Sequence, residues 1–399
     1  MPSNAILEQV CNKVMNSLFV NLGTKAVYGA SRSLSEITKR WPEKFDMIVP
    51  YEFPGDLFHK RDIKSLLVEA RKSYGDNLRN LYFFWLPQKF PIYMEHRDTI
   101  KWKLKHQVFV YILGVLNKRK IFELIEKNNY DFIHLNSLTL YPLLSKKYNM
   151  FIHVRCIMDR DFKRVSSKIK DAKGIIFIEE SVKTPFETEI ESMNYITLIN
   201  PFDMTQVNMI DIPEQREHLG IAEDETVYMI AGNVSSLKGV DFVIKAFRDV
   251  DAKIKLLVVG DGDEDFYNHC RELADGDSRI LFLGEWKDMN PLFAVTDYII
   301  RGDGQFGFGR TCYESLLSGK GIIVPGSDKD ANKVQNYDLY KDRIFFYEPR
   351  NIEALKSIVN ISTKYKQRGL VAGTNTEEYY QNFMQFVTKS KFGENQDGV

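Results

Sequence analysis

Short runs of Val, Ile, Leu, Phe and Tyr alternate along this chain with longer stretches whose apolar residues recur at helical spacing. That rhythm predicts parallel sheets flanked by helices. In the first half the strands read as SLFVN, FDMIVP, NLYFFW, DFIHLN, MFIHV and GIIFI, with helices after several of them. The segment TLINPFD, ending at Asp203, closes this unit, and the polar, turn-rich stretch through EQREHLG reads as a linker. A second series follows with strands TVYMIAG, IKLLVVG, ILFLG, DYIIR and GIIVPG, interleaved with helices that start near Lys238, Glu264, Lys287 and Arg310. Near the end, Tyr380, Phe383, Met384 and Val387 fall on one face of a terminal helix, and the last ten residues read as frayed. The expected domains are therefore 1–203, 204–375 and a helix with tail over 376–399. No tandem repeat is visible.

Length agrees with two domains, because 399 residues exceed what one hydrophobic core usually serves. Apolar and charged fractions of 44% and 27% are those of an ordinary globular protein. Cys11, Cys156, Cys270 and Cys312 lack any short pairing spacing, which argues against a zinc site or disulfide framework and for a reducing compartment. Neither a secretory signal nor a bilayer-spanning apolar run is expected, so the expected location is cytoplasmic. Net charge is zero, yet residues 1–200 carry 31 Lys and Arg against 22 Asp and Glu, a balance of +9 offset by −9 in the remainder. A basic first half suits an anionic surface or acceptor; solvated charge without a partner is the plainer reading.

Three segments carry candidate chemistry. GTKAVYGASRS, which includes Gly29, lies between a predicted strand and helix, where small residues let backbone approach a ligand and helix amides point at an anion. A tight turn with no ligand explains Gly29 almost as well. AGNVSSLKGVDFVIKAF repeats the arrangement, taking the chain from Gly232 and Asn233 through a Ser-rich loop to Lys238, a cation beside helix amides and suited to a diphosphate. RGDGQFGFGRTCYESLLSGKGIIVPG places a glycine-laden loop before a helix bearing Arg310 and Glu314, which share a face at this spacing and can simply pair.

Together these segments resemble the large family of retaining glycosyltransferases often called family 4, whose members adopt the fold named GT-B. The resemblance runs through AGNVSSLKG, VVGDGDE, ILFLGEWKDMNPLFAVTDYII and FGFGRTCYESLLSGKGIIVPG in the second half, and more loosely through GASRSLSEI, DFIHLNS, HVR and LINPFD in the first. It implies two Rossmann-like α/β domains facing across a cleft, with the terminal helix packing back towards the first. It also implies a nucleoside diphosphate sugar as donor, bound by the second domain, and an acceptor on the first. Lys238 would stabilise the leaving diphosphate, Glu314 would accept from ribose hydroxyls, and Phe308 and Gly309 would offer backbone amides. Gly232, Asn233, Trp286 and Arg310 complete the expected donor site. His153 matches a histidine near the donor sugar, a core histidine being the alternative. Beside it, Arg155 would meet an acidic acceptor or pair with Asp159 or Asp161.

Two positions depart from the family pattern. The first glutamate of its motif, eight residues before Glu314, is Phe306 here, leaving Asp303 or Gln305 to reach the sugar; the arginine that often precedes the Lys-Gly pair is Asn233. Arg310 is a candidate to replace that lost charge. KWKLKHQVFVYILGVLNKRK, apolar in the middle and basic at both ends, fits either a core helix or one lying on an anionic membrane face. The expected function is retaining transfer of a sugar to a glycan or lipid-linked acceptor of a surface polysaccharide, with no obligatory metal and no nucleic acid. A scaffold subunit that binds nucleotide sugar without turnover is the alternative, and an epimerase or phosphorylase on the same fold is a weaker one.

Overall fold

A computed structural model describes residues 15–26, 29–51, 62–88, 111–156, 158, 162–363 and 371–392. The chain forms two compact units, one comprising Met1–Pro201 with Thr376–Val399 and the other Phe202–Asn375. The boundary thus falls two residues before the Asp203 expected from sequence, and the terminal helix belongs to the first unit.

The first unit is built on a seven-stranded sheet in the order β3-β2-β1-β4-β5-β6-β7, parallel throughout. Its strands are β1 Ser17–Val20, β2 Phe45–Pro50, β3 Leu78–Phe84, β4 Phe132–Leu135, β5 Met150–Val154, β6 Gly174–Phe177 and β7 Tyr195–Thr197. β1, β4 and β5 are buried along their whole length, as strands covered by helices on both faces must be. The second unit has six parallel strands in the order β10-β9-β8-β11-β12-β13. They are β8 Thr226–Ala231, β9 Ile254–Val259, β10 Ile280–Gly284, β11 Tyr298–Ile300, β12 Gly321–Pro325 and β13 Ile344–Tyr347. The sequence pattern missed β7 and β13. Both are short sheet edges with half-exposed residues; β7 lacks the continuous apolar run that betrays a central strand, whereas β13 has one, IFFY, that the pattern passed over.

In each sheet the strand order reverses once, between β1 and β4 and between β8 and β11. A doubly wound parallel sheet leaves a crevice at such a reversal, outside the carboxyl ends of its strands, because the flanking loops leave in opposite directions. Polar groups at the amino ends are structural by comparison. There Asp46 is fully buried, accepts from Arg79 Nε and Nη2 at 2.9 Å each, and takes the Tyr130 hydroxyl at 2.6 Å.

Trp41 anchors one face of the first sheet. Its ring stacks on Phe132 at 5.4 Å and meets Phe19 edge-on at 5.1 Å, while Nε1 donates to Ser17 Oγ at 3.2 Å. The helix Thr376–Phe392 closes the same core with Tyr379, Phe383, Met384, Phe386 and Val387, which is why the chain's last helix is part of the first unit. Replacing Trp41 with Ala should cost about 3–5 kcal/mol, since the lost burial is compounded by the cavity left between two fixed elements. Urea denaturation of the intact chain checks this; a loss below about 1 kcal/mol would mean that the core collapses around the gap.

Candidate functional site

The loop after β8 and the turn after β11 meet at the reversal of the second sheet. Their contact is backbone on backbone: a Cβ at Gly239 would lie 1.9 Å from the Gly302 carbonyl oxygen, and one at Gly302 would lie 2.3 Å from that of Gly239. Gly239 also has φ +60°, which non-glycine residues adopt only at a cost. It ends the single turn Ser236–Lys238 and opens the helix Val240–Arg248, so Lys238 is delivered to the carboxyl end of β11.

There Lys238 meets Arg301 and Asp303. Arg301 Nε donates to Asp303 Oδ2 at 2.6 Å, Lys238 Nζ lies 3.5 Å from Oδ1, and Arg301 Nη1 donates to the Phe308 carbonyl at 3.2 Å. Tyr347 fixes the turn by donating to the Arg301 carbonyl at 2.6 Å. Desolvation, and then the positive charge of Arg301, hold the Lys238 ammonium below its ordinary pKa. Gly232, Asn233, Val234, Lys238 and Arg301 line a small cavity at this point. The site therefore concentrates two cations around one carboxylate. Sequence reasoning missed Arg301, which stands at the end of an apolar strand and reads there as a surface charge.

The helix Gly309–Leu317 begins beside this cluster. Phe308 is fully buried, and a Cβ at Gly309, where φ is +67°, would come within 2.6 Å of Arg301 Nη1. Arg310 donates from Nε to Glu314 Oε1 at 2.9 Å and lies over the Phe202 ring at 4.6 Å. Phe306 packs against Phe308 and Phe346, with Lys333 over its ring. Trp286, half-buried, follows β10, whose Gly284 carbonyl accepts from Gly260 N at 2.7 Å. Lys238, Asn233, Gly232, Phe308, Gly309, Arg310, Glu314 and Trp286 thus all lie in the second unit.

In the first unit the reversal holds a chain of amides. Asn21 Nδ2 donates to the Tyr74 hydroxyl at 2.7 Å, Asn136 Nδ2 to Asn21 Oδ1 at 2.8 Å, and Arg155 to Asn136 Oδ1 at 2.9 Å and Asn200 Oδ1 at 2.6 Å. Burial pushes the Tyr74 phenol up to about 12. Gly29 opens the helix Gly29–Lys39, whose Ala30 carbonyl accepts from Asn136. Asp159 and Asp161, the alternative partners of Arg155, lie outside the described residues.

His153 is fully enclosed within β5, the placement that the core-histidine alternative describes. Arg155 Nη2 lies 3.0 Å from His153 Nδ1, and His134 Nε2 lies 3.3 Å from the same atom. A guanidinium only donates, so that nitrogen is an acceptor and His153 is neutral with its proton on Nε2. His134 then supplies its own Nε2 proton. Desolvation first, and Arg155 second, hold both imidazoles well below their ordinary pKa. Through this bond His153 orients Arg155.

Beyond the reversal, Tyr111, Tyr141, Phe162, Lys163, Arg164 and Lys168 line an open cavity of about 880 Å³. It adjoins the helix Leu113–Asn128, on or beside which Ile112, Val115 and Leu116 are exposed. Residues 101–110 of the expected membrane-facing segment lie outside the described residues. No described helix is long and apolar enough to cross a membrane.

Two doubly wound parallel units, each with its polar cluster at the strand-order reversal, define the GT-B fold. Residues 225–362, all within the second unit, match the sequence profile of the family described as Glycosyl transferases group 1. Among curated proteins, an alpha-monoglucosyldiacylglycerol synthase of Streptococcus pneumoniae is 27% identical over 40% of this chain and 38% of its own. An N-acetyl-alpha-D-glucosaminyl L-malate synthase of Bacillus anthracis is 28% identical over 27% of this chain and 29% of its own. Both alignments span well under half of those relatives' lengths. Among solved structures, Anabaena HepE in complex with UDP superposes with a TM-score of 0.65 at 18% identity, covering 96% of this chain and all of that one. HepE is also known in complex with UDP-glucose.

The enclosed histidines make stability depend on pH. An unfolded histidine takes up a proton as pH falls through about 6.5, whereas His134 and His153 stay neutral in the fold, so the unfolded state gains. Between pH 7.5 and 5.5 each should remove about 1.4 kcal/mol of folding stability. Urea denaturation at the two pH values should show His134→Gln losing less than the parent by about that amount; equal losses would contradict the neutral pair.

Proposed function

We propose that the protein transfers a sugar, with retention, from a nucleoside diphosphate sugar to a glycan or lipid-linked acceptor. The observation that carries this reading is the convergence of Lys238 and Arg301 on the reversal of the second sheet, beside the helix that begins at Gly309. Cleavage of the donor's sugar–phosphate bond leaves negative charge on the diphosphate, and fixed cations there lower the barrier because that charge grows in the transition state. Amides of Phe308 and Gly309 would add dipoles to the same group, and Glu314 would accept from ribose hydroxyls. UDP sugars are the first donors to try, since HepE binds UDP and UDP-glucose.

The basic and aromatic cavity of the first unit suits an anionic or lipid-linked acceptor, and its exposed apolar neighbours suit the edge of an anionic membrane. Phe306 favours a second reading, in which the protein binds a nucleotide sugar without turning it over. A thermal-shift panel of uridine, guanosine, thymidine and cytidine diphosphates and their sugars separates these, because a ligand held only by the fold adds about 2.7 kcal/mol at a hundredfold excess over Kd. Stabilisation by one base series, with donor hydrolysis or transfer that falls about 100-fold in Lys238→Ala, is the expected result. Stabilisation without turnover across a range of acceptors would favour the binding subunit, and no stabilisation by any diphosphate would exclude both.

A further inference from the structure

We infer that Arg301 is the second diphosphate-binding cation of the donor site, supplied from the end of β11 in place of the arginine absent at Asn233, and that Asp303 holds the site until the donor arrives. This rests on the donor-site reading above.

Three observations point to Arg301 rather than Arg310. Arg301 lines the same small cavity as Lys238 and as Asn233, the position of the missing arginine. One carboxylate, Asp303, spans the two cations, at 2.6 Å from Arg301 Nε and 3.5 Å from Lys238 Nζ. A group with two anionic oxygens is therefore already accommodated between them, and a diphosphate presents the same kind of oxygen with more charge. Arg310, in contrast, pairs with Glu314 and stacks on Phe202.

Position is fixed from both sides. Arg301 Nη1 reaches the Phe308 carbonyl at 3.2 Å, and only a glycine at 309 leaves room for that nitrogen. Tyr347 holds the backbone of Arg301, and the Gly239–Gly302 contact holds Lys238 to the same turn. Arg301 is thus presented by a rigid turn, in a geometry suited to phosphate oxygens that a lysine would not reproduce. With Asp303 alone the cluster carries one net positive charge; when a diphosphate displaces that carboxylate, both cations face the ligand.

The test is calorimetric titration of the full chain with UDP and, as a control, uridine. Arg301→Leu should weaken UDP at least tenfold while leaving uridine within about twofold, and Arg301→Lys should recover part of the loss. Asp303→Asn, which keeps Arg301 and removes the competing carboxylate, should bind UDP several-fold more tightly, with a steeper dependence on salt. It also serves where Arg301→Leu does not fold. A folded Arg301→Leu that binds UDP within twofold of the parent overturns the proposal, as does an Asp303→Asn variant with unchanged or weaker UDP affinity. If the parent itself binds none of the UDP, GDP, TDP and CDP panel, the donor-site reading fails first, and the two failures are distinct.

Discussion

The backbone contact between Gly239 and Gly302 is the constraint on which the candidate site depends. Neither position tolerates a side chain, because each carbonyl oxygen occupies the space a neighbouring Cβ would need. Two loops from non-consecutive strands are thereby fastened at the reversal of the sheet, and Lys238 and Arg301 arrive at one carboxylate from opposite directions. Like charges would otherwise separate. Asp303 offsets their repulsion, at 2.6 Å from Arg301 Nε and 3.5 Å from Lys238 Nζ. What the fold supplies here is a pair of cations positioned before any ligand is present, which is the arrangement that assists a reaction whose negative charge grows on the leaving group.

Charge at the other reversal is managed differently. His134 and His153 are enclosed and neutral, and their role is to aim Arg155 along a chain of asparagines rather than to meet solvent. Arg155 ties β5 to Asn136 after β4 and to Asn200 after β7, so a single guanidinium joins three loops of the first unit. At the amino ends of the same sheet, Asp46, Arg79 and Tyr130 form a closed structural knot. Buried polar groups of similar appearance thus serve opposite ends of the sheet for different reasons.

Much of this was legible in the sequence. Every fully buried strand, from SLFV to GIIVP, was read from the sequence, and the ordered glycine-bearing motifs carried the resemblance that implied GT-B. Legibility failed where long-range packing decides. The edge strand β7 borrows its order from a neighbour rather than from its own composition, while β13 was passed over despite its apolar run. For His153 the sequence leaves a position near the donor sugar and a core position both open, because its enclosure depends on His134, nineteen positions away. For Arg310 the pairing with Glu314 was legible from their spacing, and only the Phe202 ring beneath it is brought by the fold. Arg301, two residues before Asp303, carried no signal in a linear reading.

Hydrogen-exchange mass spectrometry of the full chain with and without saturating UDP tests the central claim most directly, since amides that close around a ligand exchange more slowly. The account predicts protection concentrated in residues 232–239 and 301–314, the two loops that bear Lys238, Arg301 and the start of the helix at Gly309. Bound UDP that leaves both loops unprotected, or protects only the first unit, would contradict it.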